Sequence, residues 1–387
     1  MAYFNPLRPS YLDDPYPALS RLRSEEPVHY SADFGAWVVT GYDQCVHVLR
    51  DYETFSSVRA SASLDEPEPT RVWREAVWGD LPTLIDTDPP LHTQLRNYVN
   101  HSYTPSAVEP LRPYAEAQVD ALLRDAPEGE AFDLMEALAK PLPLHIKMEN
   151  LGIPEGDRPA VLHDVDILMA AMDPGADPDA VQAAGEARER LLKYHAEAPP
   201  PPSVRQGEED LPEDALISAK VDLTLGGNDD ASYAIGNAVL SLLRNPQQLE
   251  TLREQPERIA EAVEELLRFD GPSHGTIRYA MKDTTLGGQT IASGDGVFVL
   301  SAGANRDPSH FHDPDELDLD RSARLHLSFG RGAHYCLGAP LARIELAAAI
   351  SGLLKRFGEF ELAEGETSYS GNFILRGPSR LMVIGRP

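Results

Sequence analysis

Residues 329–338 read FGRGAHYCLG, a loop in which three glycines surround Cys336. The chain has only two cysteines, and a cysteine that merely packs in a core needs no such surroundings. The segment that follows, LGAPLARIELAAAISGLLKRF, is helical in its periodicity, so Cys336 precedes a predicted helix N-terminus. Unpaired amides at such an end stabilise a thiolate and donate to its sulfur. The stretch therefore indicates a bound metal centre.

Zinc sites, iron–sulfur clusters and thiolate-ligated haem need different numbers of protein ligands. A structural zinc ion takes four protein ligands, whereas His334 and Cys336 supply one pair and no second pair stands out. An iron–sulfur cluster held by cysteines alone needs four of them. One thiolate is enough for the axial ligand of a haem iron. Gly330, Gly332 and Gly338 would then let the backbone approach a flat ring closely.

The composition argues against several classes of function. A formal charge of −28 disfavours general nucleic-acid binding and attachment to an anionic membrane. No stretch of the sequence is long and apolar enough for a membrane span, and MAYFNPLRPSYLDD lacks the apolar core of a signal peptide. We therefore expect a cytoplasmic protein with reduced thiols, in which Cys45 is a packing residue.

Helical patterns dominate the chain, and the predicted strands are short and clustered. Asp177-Pro178 predicts a helix start, and one helix of roughly thirty residues is expected between Pro212 and Pro246. Gly226-Gly227 lies in its middle, where each glycine costs about 1 kcal/mol relative to alanine, which indicates a kink or a close ligand. Residues 289–303 predict a β-hairpin. No domain boundary is evident, so residues 1–387 are predicted to form one domain.

The FGRGAHYCLG stretch resembles the signature of the cytochrome P450 haem-thiolate monooxygenases, Phe-x-x-Gly-x-His-x-Cys-x-Gly. The resemblance covers nearly the whole chain. It implies a mainly α fold with small β-sheets, in which a long central helix lies over haem b. By this resemblance Cys336 ligates the iron, Phe329 covers the thiolate side of the ring, and His334 reaches a propionate. Gly330 and Gly338 belong to the same cofactor-binding loop.

Two further motifs resemble the family in the expected order. Glu265-Leu-Leu-Arg268 matches the Glu-x-x-Arg helix that joins an arginine before the cysteine loop, here Arg321, and locks the structure on the haem side. Taken alone, such an acid–base pair is usually a solvated helix face. The resemblance also implies that His92, Arg96 and Arg278 bind the haem propionates, because buried carboxylates need cationic partners.

The predicted central helix departs from the family beside the distal face of the haem. Members usually carry Ala/Gly-Gly-x-Asp/Glu-Thr, whereas this chain has Gly226-Gly227-Asn228-Asp229-Asp230. Asp229 occupies the position of the acid that relays protons, and Asp230 replaces the threonine. Either a protonated Asp230 donates a hydrogen bond, or a substrate hydroxyl does, or the enzyme performs another reaction. A further reading is that Asp230 points away, towards solvent or a loop.

We therefore predict a cytochrome P450 monooxygenase that uses dioxygen to oxidise a small organic substrate. The alternative is a non-hydroxylating P450 that performs oxidative coupling, dehydrogenation or peroxide-driven chemistry. A haem-based sensor is disfavoured by Asp229 and by the long loop at residues 57–85. The candidate substrate contacts are Asn228, His274 and Phe373.

Several pocket candidates are polar, with Arg71 and Trp73 in the early loop, and this favours a natural product or biosynthetic intermediate. Electrons are expected from a separate ferredoxin or flavodoxin with its reductase. Such a partner would dock on the cysteine side, where the basic residues are Arg96, Arg324, Arg331 and Arg343.

Overall fold

The helices of the protein carry most of its architecture, as the sequence predicts. The structure, a computed structural model, describes residues 4–5, 9–33, 35–58, 75–76, 79, 81–171, 177–198, 211–365, 367–369 and 374–387. The α-helices within these ranges are α1 (Pro9–Asp13), α2 (Tyr16–Glu25), α3 (Tyr42–Arg50), α4 (Leu91–Asn100), α5 (Pro105–Val108), α6 (Arg112–Leu122), α7 (Pro141–Asn150), α8 (Arg158–Ala170), α9 (Pro178–Glu197), α10 (Glu213–Leu225), α11 (Asn228–Arg244), α12 (Pro246–Glu254), α13 (Ile259–Asp270), α14 (Ser301–Ala304) and α15 (Ala339–Arg356).

The strands form small sheets beside the helices. They are β1 (Val28–Ser31), β2 (Ala36–Val39), β3 (Phe55–Ser56), β4 (Ala131–Asp133), β5 (Thr276–Ala280), β6 (Thr284–Leu286), β7 (Gln289–Ile291), β8 (Gly296–Val299), β9 (Glu359–Leu362), β10 (Ser368–Tyr369), β11 (Pro378–Arg380) and β12 (Met382–Arg386). One sheet has the order β1-β2-β8-β5-β3, with β2 and β8 parallel and the other pairs antiparallel. A second has β12 between β4 and β9. This arrangement confirms the predicted mainly α fold with small β-sheets.

The hairpin predicted for residues 289–303 is wrong. The two strands of this segment lie in different sheets, because β7 pairs with β6 whereas β8 pairs with β2 and β5. All four residues of β8 are buried, and β7 has one exposed and one half-buried residue. The wholly apolar strand therefore enters the interior of the larger sheet, and the partly polar strand stays in a peripheral ribbon.

The helix predicted from near Pro212 to near Pro246 is two helices in the structure. Gly226 has φ −61° and ψ 140°, which is extended backbone, and Gly227 has φ 80°. Glycine adopts this left-handed conformation without the steric cost that a Cβ brings. The two glycines therefore end α10 and allow α11 to begin at Asn228, so the central element is interrupted rather than gently kinked.

α11 runs through the interior of the described part of the chain. Its buried small residues Ala231, Ala234 and Ala238 bring it close to α13 and α15, which pack against it. α15 packs against α6 as well, so the helix that follows Cys336 is anchored from two directions. At the start of α9, the Asp177 carboxylate accepts from Ala180 N at 2.9 Å, which confirms the predicted helix start. Within the described ranges, none of the helices combines the length and apolarity that a membrane crossing requires.

Candidate active site

A cavity of about 340 Å³ lies between the Cys336 loop and the interruption of the central helix. The loop contributes Phe329, Gly330, His334, Cys336 and Gly338 to the lining. The interruption and the first turns of α11 contribute Gly226, Gly227, Asp230, Ala231 and Ala234. The structure thus brings together two segments, far apart in the chain, that the sequence analysis singled out.

Cys336 lies two residues before Gly338, the N-cap of α15. The Cys336 side chain is exposed into the cavity, and the protein that encloses this cavity desolvates the thiol and raises its pKa to about 11. The nearby carboxylate of Asp230 acts in the same direction. The amides of Gly338 and Ala339, which hydrogen-bond the sulfur, and the Arg96 guanidinium lower the pKa. A metal ion bound to the sulfur would keep it deprotonated, and the two amides would then donate to a thiolate.

The glycines of the loop serve different purposes. Gly330 lines the cavity with φ 68°, and its amide donates to Leu327 O at 2.8 Å. Gly332 has φ 76°, and a Cβ placed there would lie 2.3 Å from Leu49 O in α3. The position of Gly332 is therefore dictated by contact with α3. This corrects the expectation that Gly332 makes room for a flat ring.

His92 and His334 lie together near the cavity, with ring centroids 4.0 Å apart. Burial lowers the pKa of His92 to about 4 and that of His334 to about 3, and the neighbouring Arg96 and Arg278 lower both further. At neutral pH both imidazoles are therefore uncharged. His334 Nε2 is paired with Ser57 Oγ at 3.0 Å, whereas His92 Nδ1 is buried with no hydrogen-bond partner in the described part of the chain.

Arg96 and Arg278 lie beside these two histidines. The four residues together form what we call the basic edge of the cavity. Arg278 lines the cavity and donates to Thr276 Oγ1 at 3.1 Å and to Ile277 O at 2.7 Å. Burial lowers the pKa of its guanidinium to about 10. Arg96 Nη2 donates to Tyr335 O at 2.6 Å. Among the described residues, neither arginine forms an ion pair with a carboxylate.

Buried cations and donors that lack anionic partners are costly, so the basic edge fits an anionic ligand. Haem b carries two propionate carboxylates, which are the groups that such an edge binds well. The edge and the Cys336 sulfur face the same cavity or its margin. The residues present therefore fit haem b bound through a thiolate.

Glu265, Arg268 and Arg321 meet in the interior. Arg268 Nε and Nη2 donate to the two oxygens of Glu265 at 2.6 and 2.7 Å, and both side chains are fully buried. Arg321 Nε donates to Glu265 Oε1 at 3.1 Å. Arg268 also donates to the carbonyls of Asn305 and Pro314. The acid–base pair on α13 is thus an interior ion pair that ties this helix to the segment before the cysteine loop.

Asp230 lines the cavity, so the reading in which it points away to solvent or a loop is wrong. Burial raises the pKa of its carboxyl to about 6, with a contribution from Asp229, and the nearby Lys147 lowers it. Asp229 is half-buried and lies outside the described lining of the cavity, and burial raises its pKa as well. The two adjacent acids therefore occupy different environments.

Of the three predicted substrate contacts, the two that the structure describes lie outside the described lining of the cavity. Asn228 is buried outside the described lining of the cavity, and its Oδ1 accepts from Lys147 Nζ. His274 is 0% exposed and packs beside Tyr16, with a centroid distance of 6.3 Å. As placed, His274 therefore cannot touch a molecule in the cavity, and its neighbours Ser273, Gly275 and Thr276 line the cavity instead. Phe373, Arg71 and Trp73 lie outside the described residues.

Lys147, Glu345 and Tyr103 line the cavity and were missed by the sequence analysis. Lys147 and Glu345 are each at most 5% exposed, and they lie on the helices α7 and α15. A signal was present, because each is a charged residue within an otherwise apolar segment, PLPLHIKM and IELAAAI. Buried charges are rare unless they are paired or functional.

Comparison with known proteins decides the family. The family model for Cytochrome P450 matches residues 191–384. The chain belongs to the cytochrome P450 family. It is 35% identical to Cytochrome P450 monooxygenase PikC of Streptomyces venezuelae, over 96% of this chain and 91% of that protein. It is 32% identical to Polyketide biosynthesis cytochrome P450 PksS of Bacillus subtilis (strain 168), over 98% of both.

Solved structures agree with this assignment. The crystal structure of CalO2 superposes with a TM-score of 0.88 at 30% identity and covers 100% of both chains. The structure of the cytochrome P450 PksS has a TM-score of 0.86, covering 99% of this chain and 100% of that one. As a P450, the chain is an oxidoreductase of the monooxygenase type whose cofactor is haem b, and relatives act in bacterial natural-product biosynthesis.

Proposed function

We propose that the protein is a monooxygenase that oxidises a small polar natural product or biosynthetic intermediate, using dioxygen and electrons from a separate protein. The observation that carries the proposal is the single cavity lined by Cys336 from one side and by Asp230 and the Gly226–Gly227 interruption from the other. The thiolate would favour cleavage of the O–O bond, and the acid would supply protons in the same cavity.

The cofactor would be held by residues at both ends of this cavity. Cys336 is the proposed iron ligand, with Phe329, Gly330 and Gly338 around it, and the amides after the cysteine would stabilise its negative charge. His92, Arg96, Arg278 and His334 would bind the propionates. Haem b with a thiolate ligand supplies the activation of dioxygen and its transfer to a substrate.

Asp230 is the proposed proton donor within the cavity. Burial raises the pKa of its carboxyl to about 6. Near neutral pH a larger share of the molecules therefore carries a proton on this carboxyl than on an exposed aspartate, and this proton can be donated. Asp229, half-buried behind it, is the proposed relay from water. In place of the threonine of other family members, the protonated carboxyl of Asp230 would donate the hydrogen bond that the hydroxyl donates there.

The substrate is proposed to be polar because the cavity offers several polar groups. Lys147, Asp230, Ser273, Thr276 and Glu345 line it beside the apolar residues. The names of the relatives PksS and Mycinamicin IV hydroxylase/epoxidase refer to polyketide biosynthesis and to mycinamicin IV, and they support a natural product. Asn228, His274 and Phe373 stay candidate contacts, and for the first two this requires movement of the side chain.

A separate ferredoxin or flavodoxin with its reductase is the proposed electron source, acting on a cytoplasmic enzyme. The cysteine side carries exposed Arg324 beside exposed Leu325, and the half-buried Arg331, which donates to Leu325 O at 2.9 Å. Arg343 is less available, because Glu264 accepts two hydrogen bonds from it. Arg324→Glu should therefore slow electron transfer from an acidic ferredoxin more than Arg343→Glu does, as measured by stopped-flow reduction at low salt.

The test of the function uses the two cysteines as a matched pair. The reduced holoprotein under carbon monoxide should give the red-shifted Soret band of thiolate ligation, and Cys336→Ser should abolish it. Cys45 is fully buried outside the described cavity lining, so Cys45→Ala should retain the band. A normal band in Cys336→Ser would overturn the proposal.

The alternative, a P450 that couples or dehydrogenates its substrate or uses peroxide, is favoured by the carboxyl of Asp230 in the cavity. Asp230→Thr distinguishes the two. Under the leading proposal, the variant changes the ratio of peroxide released to reductant consumed. If the ratio is unchanged and peroxide alone supports product formation, the peroxide-driven form of the alternative is correct, and a coupled or dehydrogenated product formed with the reductant identifies its other forms.

A further inference from the structure

Lys147 is a buried lysine that lies next to the interruption between α10 and α11. It is 5% exposed and lies on α7 between Ile146 and Met148, which are buried in the core. α7 packs against both α11 and α15. An ammonium group in such a place is costly unless several partners surround it.

The hydrogen bonds of Lys147 fix the two residues on either side of Gly227. Its Nζ donates to Gly226 O and to Asn228 Oδ1. In an unbroken helix, a carbonyl such as that of Gly226 accepts from the amide four residues later. Lys147 therefore satisfies a backbone oxygen at the interruption and holds the first residue of the helix that carries Asp230.

Lys147 also lines the cavity together with two carboxylates, Asp230 on α11 and Glu345 on α15. Burial raises the pKa of Glu345 to about 7, and Lys147 lowers it, as it does that of Asp230. Burial lowers the pKa of Lys147 itself to about 8, and both carboxylates raise it. The other titratable groups that interact with these three are Tyr103, Asp229 and Cys336, and Asp229 is in turn influenced by Lys140 and Asp166.

We propose that Lys147 is a positioning residue for Asp230. It holds the interruption between α10 and α11 through its hydrogen bonds, and its positive charge acts electrostatically on the two carboxylates that line the same cavity. This inference rests on the proposed function, in which Asp230 donates a proton. It predicts that removing the positive charge of Lys147 shifts the titration of Asp230 and Glu345 even where the fold and the haem are intact.

The test measures the cavity carboxyls directly, by infrared difference spectroscopy of the holoprotein across a pH series. The C=O stretch of the protonated groups is assigned by its loss in Asp230→Asn and Glu345→Gln. Lys147→Met and Lys147→Gln should move the midpoint of this band to higher pH by about one unit or more, because an opposite charge has been removed. Lys147→Arg keeps the charge and should restore the midpoint if it folds.

Lys193→Met is the matched control, since it removes an exposed lysine from α9 and should leave the midpoint unchanged. Lys147→Gln retains a donor and so separates lost charge from a lost hydrogen bond. If Lys147→Met does not fold, Lys147→Gln decides the question. A midpoint unchanged in the Lys147 variants overturns the role of Lys147. Absence of the thiolate band from the wild-type protein overturns the proposed function instead, so the two failures are distinguishable.

Discussion

The ion pair between Glu265 and Arg268 allows a quantitative prediction for Glu265→Gln. Both side chains are 0% exposed, and the carboxylate accepts four hydrogen bonds. The substitution keeps the shape of the side chain but removes its charge and turns an amide N–H towards guanidinium donors. Arg268 cannot move to water, because three backbone carbonyls also hold it. Removing one partner of a buried pair costs about 3–5 kcal/mol, and we expect Glu265→Gln to lower the free energy of unfolding by an amount in this range.

The assay is urea unfolding of the purified holoprotein, followed by circular dichroism, with the loss calculated from the shift in midpoint. Glu261→Gln is the matched control, since Glu261 lies on the same helix and is exposed, and it should change the free energy of unfolding by less than about 0.5 kcal/mol. The double variant Glu265→Gln with Arg268→Met should lose less than the sum of the two single variants, because both charges are gone. A loss in Glu265→Gln below about 1 kcal/mol would refute the reasoning.

Three further predictions follow from other parts of the structure. Gly332→Ala should lower the urea midpoint by the equivalent of about 1–3 kcal/mol, because of its left-handed backbone and the 2.3 Å approach to Leu49 O, whereas Gly156→Ala, which has open space, should be nearly neutral. Arg278→Met should speed transfer of haem to apomyoglobin by about ten-fold or more, because a charged hydrogen bond to a propionate is worth about 1.5–3 kcal/mol; an unchanged rate would remove Arg278 from the cofactor site. Burial lowers the pKa of His195 to about 4, so the unfolded chain binds a proton at higher pH than the folded protein does. The free energy of unfolding is therefore unaffected by His195 above about pH 6.5 and falls by up to about 3 kcal/mol as the pH is lowered towards 4. His195→Asn should flatten this part of the pH profile of the urea midpoint.

The local sequence predicted those features of this protein that depend on residues only a few positions apart. The FGRGAHYCLG loop and the start of α9 at Asp177-Pro178 follow from residues close together in the chain. The interior set of Glu265, Arg268 and Arg321 was implied by the resemblance to the family, because Arg321 lies 56 positions from Glu265. The structure brings the Cys336 loop and the Gly226–Asp230 segment to one cavity, and the predicted mainly α fold is confirmed. The conformation of the cysteine loop and the start of α9 are determined by hydrogen-bond geometry and backbone preferences that act within a few residues.

Other features depend on how distant segments pack, and sequence alone did not decide them. Neighbours far along the chain set the burial of His274 outside the cavity lining, the contact of Gly332 with α3, and the separate partners of β7 and β8. Lys147 was overlooked because one lysine in an apolar helix gives no sign of its partners. Tertiary structure decided that its ammonium group donates to Gly226 and Asn228 and lies within electrostatic range of Asp230 and Glu345, since burial and charge proximity arise only when α7, α11 and α15 come together.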